Sequence, residues 1–354
     1  MTTATSEGTY YVPEMSKLPL LASAGLFLSV FGASTWLSGM PTNPLFVALA
    51  LFIVAASVFD WGRRLTIVAG IIVFILVNAA SEKIASVLTG PMILAMGVAV
   101  FITVLWSWFT TVIRENIAGL NSPQVKRSYV WGMSWFIFSE TMLFSVFFGA
   151  LFYVRTLAVP WLSGEGHGAS NVLLWPGFEA TWPLMVTPDM AAHGDSANVL
   201  GPGESMSFSE APSLWTWLPF WNTVLLVTSS VTCHLAHSAI KRDARKAFNT
   251  WLGITIVLAV TFLTLQAEEY VVAYQDMGLT LQSGIYGATF FMLTGFHGVH
   301  VLLGTIMLSV MWLRSVLKGH FSSKDSFGFD AASWYWHFVD VVWVGLFFAV
   351  YIFG

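Results

Sequence analysis

The sequence predicts an all-α integral membrane protein, on three observations. Apolar residues make up 56% of the 354 residues and charged ones only 10%, where soluble domains carry about 25% charged residues. The apolar residues gather into runs close to the ~20 that an α-helix needs to cross a hydrocarbon core ~30 Å thick. Histidines and carboxylates sit inside those runs, at a cost of about 2.5 to 3.5 kcal/mol each unless they are paired.

Taken in chain order, residues 1–19 form a polar tail that holds Glu7 and Glu14. The tail lacks the basic region and small-residue cleavage site of a secretory leader, so the first apolar run, 20–37, is expected to be a retained helix. Two shorter runs follow, 44–61 and 65–80, each about 24 to 27 Å long as a helix. Only Gly62-Arg63-Arg64 separates them, which reads as a tight helical hairpin. Six further runs are full length: 92–113, 129–154, 214–235, 251–274, 285–313 and 334–353. The total is nine spans, with a shallow or re-entrant hairpin at 41–86 as the alternative. The expected organisation is a tail (1–19), a first core helix (20–40), the hairpin (41–86), a second core helix (87–118) and a five-helix bundle (126–354).

Lysine and arginine placement sets the orientation, because short cytoplasmic loops collect positive charge. Threading nine spans with the N-terminus inside leaves only Lys83 and Arg155 outside, among 15 basic residues. The C-terminus then lies outside, in the periplasm. The loop 156–213 also falls outside and carries Glu165, Glu179, Asp189, Asp195, Glu204 and Glu210 with no lysine or arginine. It reads either as a surface that steers a basic soluble partner or as a solvated loop packed over the bundle. A single cysteine, Cys233, excludes an intrachain disulfide framework and multi-cysteine metal sites. No nucleic-acid partner is expected.

Several long motifs share a source. Trp135-Phe136-Ile137-Phe138-Ser139-Glu140, Leu265-Gln266-Ala267-Glu268-Glu269-Tyr270, Gly284-Ile285-Tyr286-Gly287-Ala288-Thr289-Phe290-Phe291, Gly295-Phe296-His297-Gly298-Val299-His300 and the run 334–343 resemble, in that order, subunit III of the cytochrome c oxidases. The resemblance implies a seven-helix subunit, split by a lipid-binding V-shaped cleft into two N-terminal helices and a five-helix bundle. Such a subunit packs against the heme-copper subunit I of a bacterial inner-membrane complex. The hairpin 41–86 departs from that pattern as an insertion between the two N-terminal helices. Both of those helices are retained, whereas the related quinol oxidase subunit lacks them, and this favours cytochrome c as the donor to the complex.

Candidate site residues are read against their depth. Glu140 lies about 16 Å and His300 about 20 Å from the cytoplasmic end of their helices, so the two are expected to hydrogen-bond and offset much of their burial cost. The resemblance identifies Glu140 with a carboxyl reactive toward hydrophobic carbodiimides and once proposed for a proton channel. The structural reading is a neutral acid that locks helices together. His297 and His300 lie three apart, as do His234 and His237, and such pairs can in principle ligate metal. Too few ligands converge at one depth, so His237, His297 and His300 read as core histidines. His337 and Asp340 are expected to pair locally. Glu269 is expected to cap or hydrogen-bond near the outer interface, with proton entry as the alternative. Neither a metal site nor a catalytic residue is expected in this chain.

Arg114 and Arg314 end their helices on the cytoplasmic side, where guanidinium groups reach lipid phosphates, and Trp106 and Trp108 suit the headgroup region. The resemblance implies that Arg114, Arg314 and Trp108 stand near the headgroups of bound phospholipids. It also implies an accessory, non-redox subunit III of a proton-pumping, aa3-type oxidase. Heme a, heme a3 and copper would then reside in the partner subunits I and II. A subunit III-like component of a quinol oxidase or nitric oxide reductase, or an independent proton or ion transporter, is the alternative.

Overall fold

The computed structural model describes residues 16–58, 63–79, 89–166, 170–193 and 213–353. Outside the described residues lie most of the expected tail, the hairpin turn at 59–62, the end of the hairpin at 80–86, residues 87–88 of the expected second core helix, and residues 167–169 and 194–212 of the expected outer loop. The described chain is helical, and the sole β pairing among its residues is an isolated bridge between Ser322 and Asp325. Among the described residues seven helices are long and apolar enough to cross a membrane. The chain forms two compact units, Met1–Tyr129 and Val130–Gly354.

The first unit contains α1 (Leu18–Ser38), α2 (Pro44–Val58), α3 (Arg63–Ala79) and α4 (Gly90–Ile117). Helix α1 packs along α4 and against α2, and α2 packs on α3. Lipid tails are as apolar as leucine, so helices in a bilayer associate through close packing and interhelical hydrogen bonds. Here close packing dominates. A Cβ on Gly32 would lie 2.3 Å from the Leu94 backbone nitrogen, and one on Gly97 would lie 2.3 Å from that of Ser29. The two backbones therefore touch, and only glycine fits at those two places. The expected hairpin residues form α2 and α3, which are shorter than the seven long helices.

The second unit begins within α5 (Pro123–Leu162), which outruns the expected span at both ends. A π-helical turn, Val154–Ala158, lies just before Pro160. Proline cannot donate to the carbonyl four residues back, and a wider turn is one way for a helix to absorb that loss. After the short helices α6 (Ser170–Leu174) and α7 (Pro188–His193) come α8 (Leu218–Lys241), α9 (Arg245–Gln275), α10 (Gly284–Lys318) and α11 (Phe327–Ile352). These four long helices pack as α8 on α9, α9 on α10, α10 on α11 and α11 back on α8. Trp217, Trp336, Trp343, Tyr335, Phe248 and Phe262 are buried among them. Phe262 meets Trp343 edge-to-face with ring centres 4.9 Å apart, a geometry that suits the aromatic quadrupole.

Candidate functional site: buried polar pairs of the second unit

Most helices here are apolar over much of their surface, so rotation about the helix axis is governed by where the few polar groups find partners. Glu140 on α5 and His300 on α10 meet, with Oε2 of Glu140 3.0 Å from Nε2 of His300. The other ring nitrogen, Nδ1, lies 2.6 Å from the Phe296 carbonyl. A carbonyl only accepts, so Nδ1 carries a proton. Nε2 then either accepts from the un-ionised acid or donates to the carboxylate as imidazolium. Both states keep the bond. Phe144, Tyr335 and Phe338 ring the imidazole.

One turn earlier on α10, buried His297 donates from Nε2 to the Val339 carbonyl of α11 at 3.2 Å. Its ring lies 5.1 Å from that of Trp343. This is a helix-to-helix bond made by a core histidine. His337 has its expected local partner within reach and adds a contact to the neighbouring helix. Its Nδ1 sits 3.7 Å from Asp340 Oδ2, three residues along the same helix face, and 2.8 Å from Ser230 Oγ on α8.

At the end of the unit where α8 gives way to α9, His237 Nε2 lies 3.1 Å from Asp330 Oδ1. Lys241 Nζ donates to Asp330 Oδ2 at 3.0 Å and to Ser326 Oγ at 2.8 Å. Asp330 stands in the first turn of α11, where the helix dipole favours an anion. Neither Asp330 nor Lys241 is among the residues the sequence singles out. The available signal is an acid in a first turn, two helical turns before His337 and on its face.

The same end carries two loop contacts. Asp243 accepts from the Ser323 backbone N–H and hydroxyl, both at 2.7 Å, and these bonds hold its carboxyl below the usual carboxylate range. Arg245 Nη2 donates to the Phe321 carbonyl at 2.9 Å. Phe321 has φ of 74°, a strained conformation for a bulky residue. The Arg245 bond and the Arg314 guanidinium, 4.7 Å above the Phe321 ring, offset that strain. Next to it, burial first and the nearby Arg314, Lys318 and Arg245 second lower the pKa of His320.

Arg314 is half-buried, stacked on Phe321 with Nη1 3.7 Å from the Met311 sulfur. A cation over an aromatic face gains electrostatic energy even where water is scarce. Glu269 caps no helix end. It is 2% exposed, and its helix ends at Gln275 with Asp276 as the cap position. In the first unit Arg114 is exposed on α4, and Trp106 and Trp108 on the same helix are exposed as well. Among the described residues no three histidine, cysteine, aspartate or glutamate side chains converge as a metal site would require.

Against this geometry stand the comparisons with known proteins. The family profile for cytochrome c oxidase subunit III matches residues 65–165 and 214–354. The chain belongs to that family. Cytochrome c oxidase subunit 3 of Formosania lacustris is 36% identical over 263 residues, covering 74% of this chain and 84% of that protein. The Equus caballus protein of the same name is 37% identical over 264 residues, with the same coverage of both chains. The family match omits 166–213 within the expected outer loop, and it starts inside the expected hairpin, leaving α1 and α2 before it.

Proposed function

We propose that this chain is the accessory, non-redox subunit III of a proton-pumping, aa3-type cytochrome c oxidase in a bacterial inner membrane. It packs against subunit I, which holds heme a3 and copper, within a complex that also contains heme a, copper-bearing subunit II and a cytochrome c donor. Its work is to stabilise subunit I and to support proton uptake and oxygen access. The carrying observation is the family match, in a chain whose His297, His300 and His337 each bond to a neighbouring helix.

The finer reading includes nine spans, with α2 and α3 crossing the membrane, the N-terminus cytoplasmic and the C-terminus periplasmic. The basic-residue asymmetry supports that orientation. It also includes phospholipid held by Arg114 with Trp106 and Trp108, and by Arg314, since exposed indoles and a guanidinium at a helix end suit phosphate headgroups. Gentle purification through a tag on this chain tests the assignment. The expected result is co-migration with a heme-bearing partner and retained phospholipid, the lipid falling in Arg114→Ala/Arg314→Ala. A colourless, solitary protein with ion-transport activity overturns it.

A further inference from the structure

One group of buried polar side chains is left without use by the pairs above. Gln266 and Glu269 sit three residues apart on α9, 6% and 2% exposed, and fully buried Tyr351 stands in the π-helical end of α11, Phe347–Ile352. The Tyr351 hydroxyl faces both Glu269 and Gln266. The hydroxyl is close enough to interact with both side chains, yet none of the five atoms, Gln266 Nε2 and Oε1, Glu269 Oε1 and Oε2, and Tyr351 Oη, reaches full hydrogen-bond geometry with protein. Buried polar groups in native proteins are nearly always satisfied by protein, ordered water or ion, and one hydroxyl cannot satisfy a carboxyl and an amide together, so the cluster has capacity for a bridging ligand.

The chemistry of the ligand follows from donors and charge. Gln266 brings two N–H donors and one acceptor, Tyr351 one of each, and an un-ionised Glu269 one of each. A ligand must therefore both donate and accept. The titratable groups facing Glu269 are phenols: Tyr270 on its own helix, Tyr286 on α10 and Tyr351 on α11. Among the described residues no lysine, arginine or histidine interacts with it. An isolated buried carboxylate is far costlier than an uncharged acid. π-helical turns are themselves rare and recur at functional sites.

We infer that Gln266, Glu269 and Tyr351 build an internal site for ordered water, with Glu269 resident as the uncharged acid, joining α9 to the C-terminal turn of α11. The acid donates to water, water donates to the Gln266 carbonyl, and the Gln266 amide and Tyr351 hydroxyl complete the network. Two measurements on the full chain purified in its native assembly test this. A high-resolution density map is expected to show a peak at about 2.7 to 3.0 Å from Glu269 and Gln266. Infrared difference spectra at neutral pH are expected to show one un-ionised carboxyl band lost in Glu269→Gln and shifted in Tyr351→Phe, a conservative change that keeps the ring in place. A peak at about 2.3 to 2.6 Å with oxygen ligands alone would mean a bound cation and overturn the proposal. So would no peak at all, or spectra of wild type and Glu269→Gln that share every neutral-carboxyl band.

Discussion

The two units hold their helices together by different means. In the first, α1 and α4 meet backbone to backbone at Gly32 and Gly97, and the hydroxyls of Ser29 and Thr35 bond back to carbonyls of their own helix, Gly25 and Phe31. In the second, polar side chains reach across helices: Glu140 to His300, His297 to the Val339 carbonyl, Trp336 Nε1 to Ser229, Trp343 Nε1 to Thr223 and Thr232 to Thr255. These are the two devices open to helices where the hydrophobic effect no longer drives association. Backbone contact needs only small residues at the right spacing. Polar pins need a partner at the same depth, and they set helix rotation as well as proximity.

The largest expected effect breaks the first device. Gly97→Leu drives a side chain into the Ser29 backbone, and overpacking of this kind costs about 3 kcal/mol, so the α1–α4 pair should separate and the folded yield collapse. Gly298→Ala, where a Cβ meets nothing within 4 Å, should leave thermal stability unchanged in the same assay. Equal sensitivity at both sites would erase the contrast between the units.

A middle-sized effect sharpens the second device. Glu140→Ala and His300→Ala each strand a buried polar partner, at about 1 to 3 kcal/mol. The double mutant should recover about 0.6 to 1.7 kcal/mol of coupling, the range known for polar pairs in membrane helices. Strict additivity in a denaturant series would mean that the contact pins nothing.

The smallest effect lies outside the membrane, at the loop bond of Asp243 with Ser323. Its carboxyl is held below the ordinary value in the folded chain, so the unfolded chain binds the proton first as pH falls. The stabilising contribution is therefore complete above the unfolded carboxylate value, about 3.9, and is lost as pH falls through the folded value. Asp243→Asn should flatten the acid limb of the stability profile and alter neutral pH little, because the carboxylate is exposed.

Much of this protein is legible in its amino-acid sequence. The long spans, the depth match of Glu140 with His300 and the core placement of His297 all follow from the residues alone, because the cost of burying a charge or an unpaired backbone belongs to the residue and the bilayer. Partner choice is not legible in that way. Ser230 joins Asp340 at His337, Asp330 gathers His237 and Lys241, Arg314 stacks on Phe321, and Glu269 faces inward beside Tyr351. Helices apolar over most of their surface leave their rotation undetermined from sequence. Only the packed bundle decides which face each one shows its neighbours, and with that, which polar groups meet.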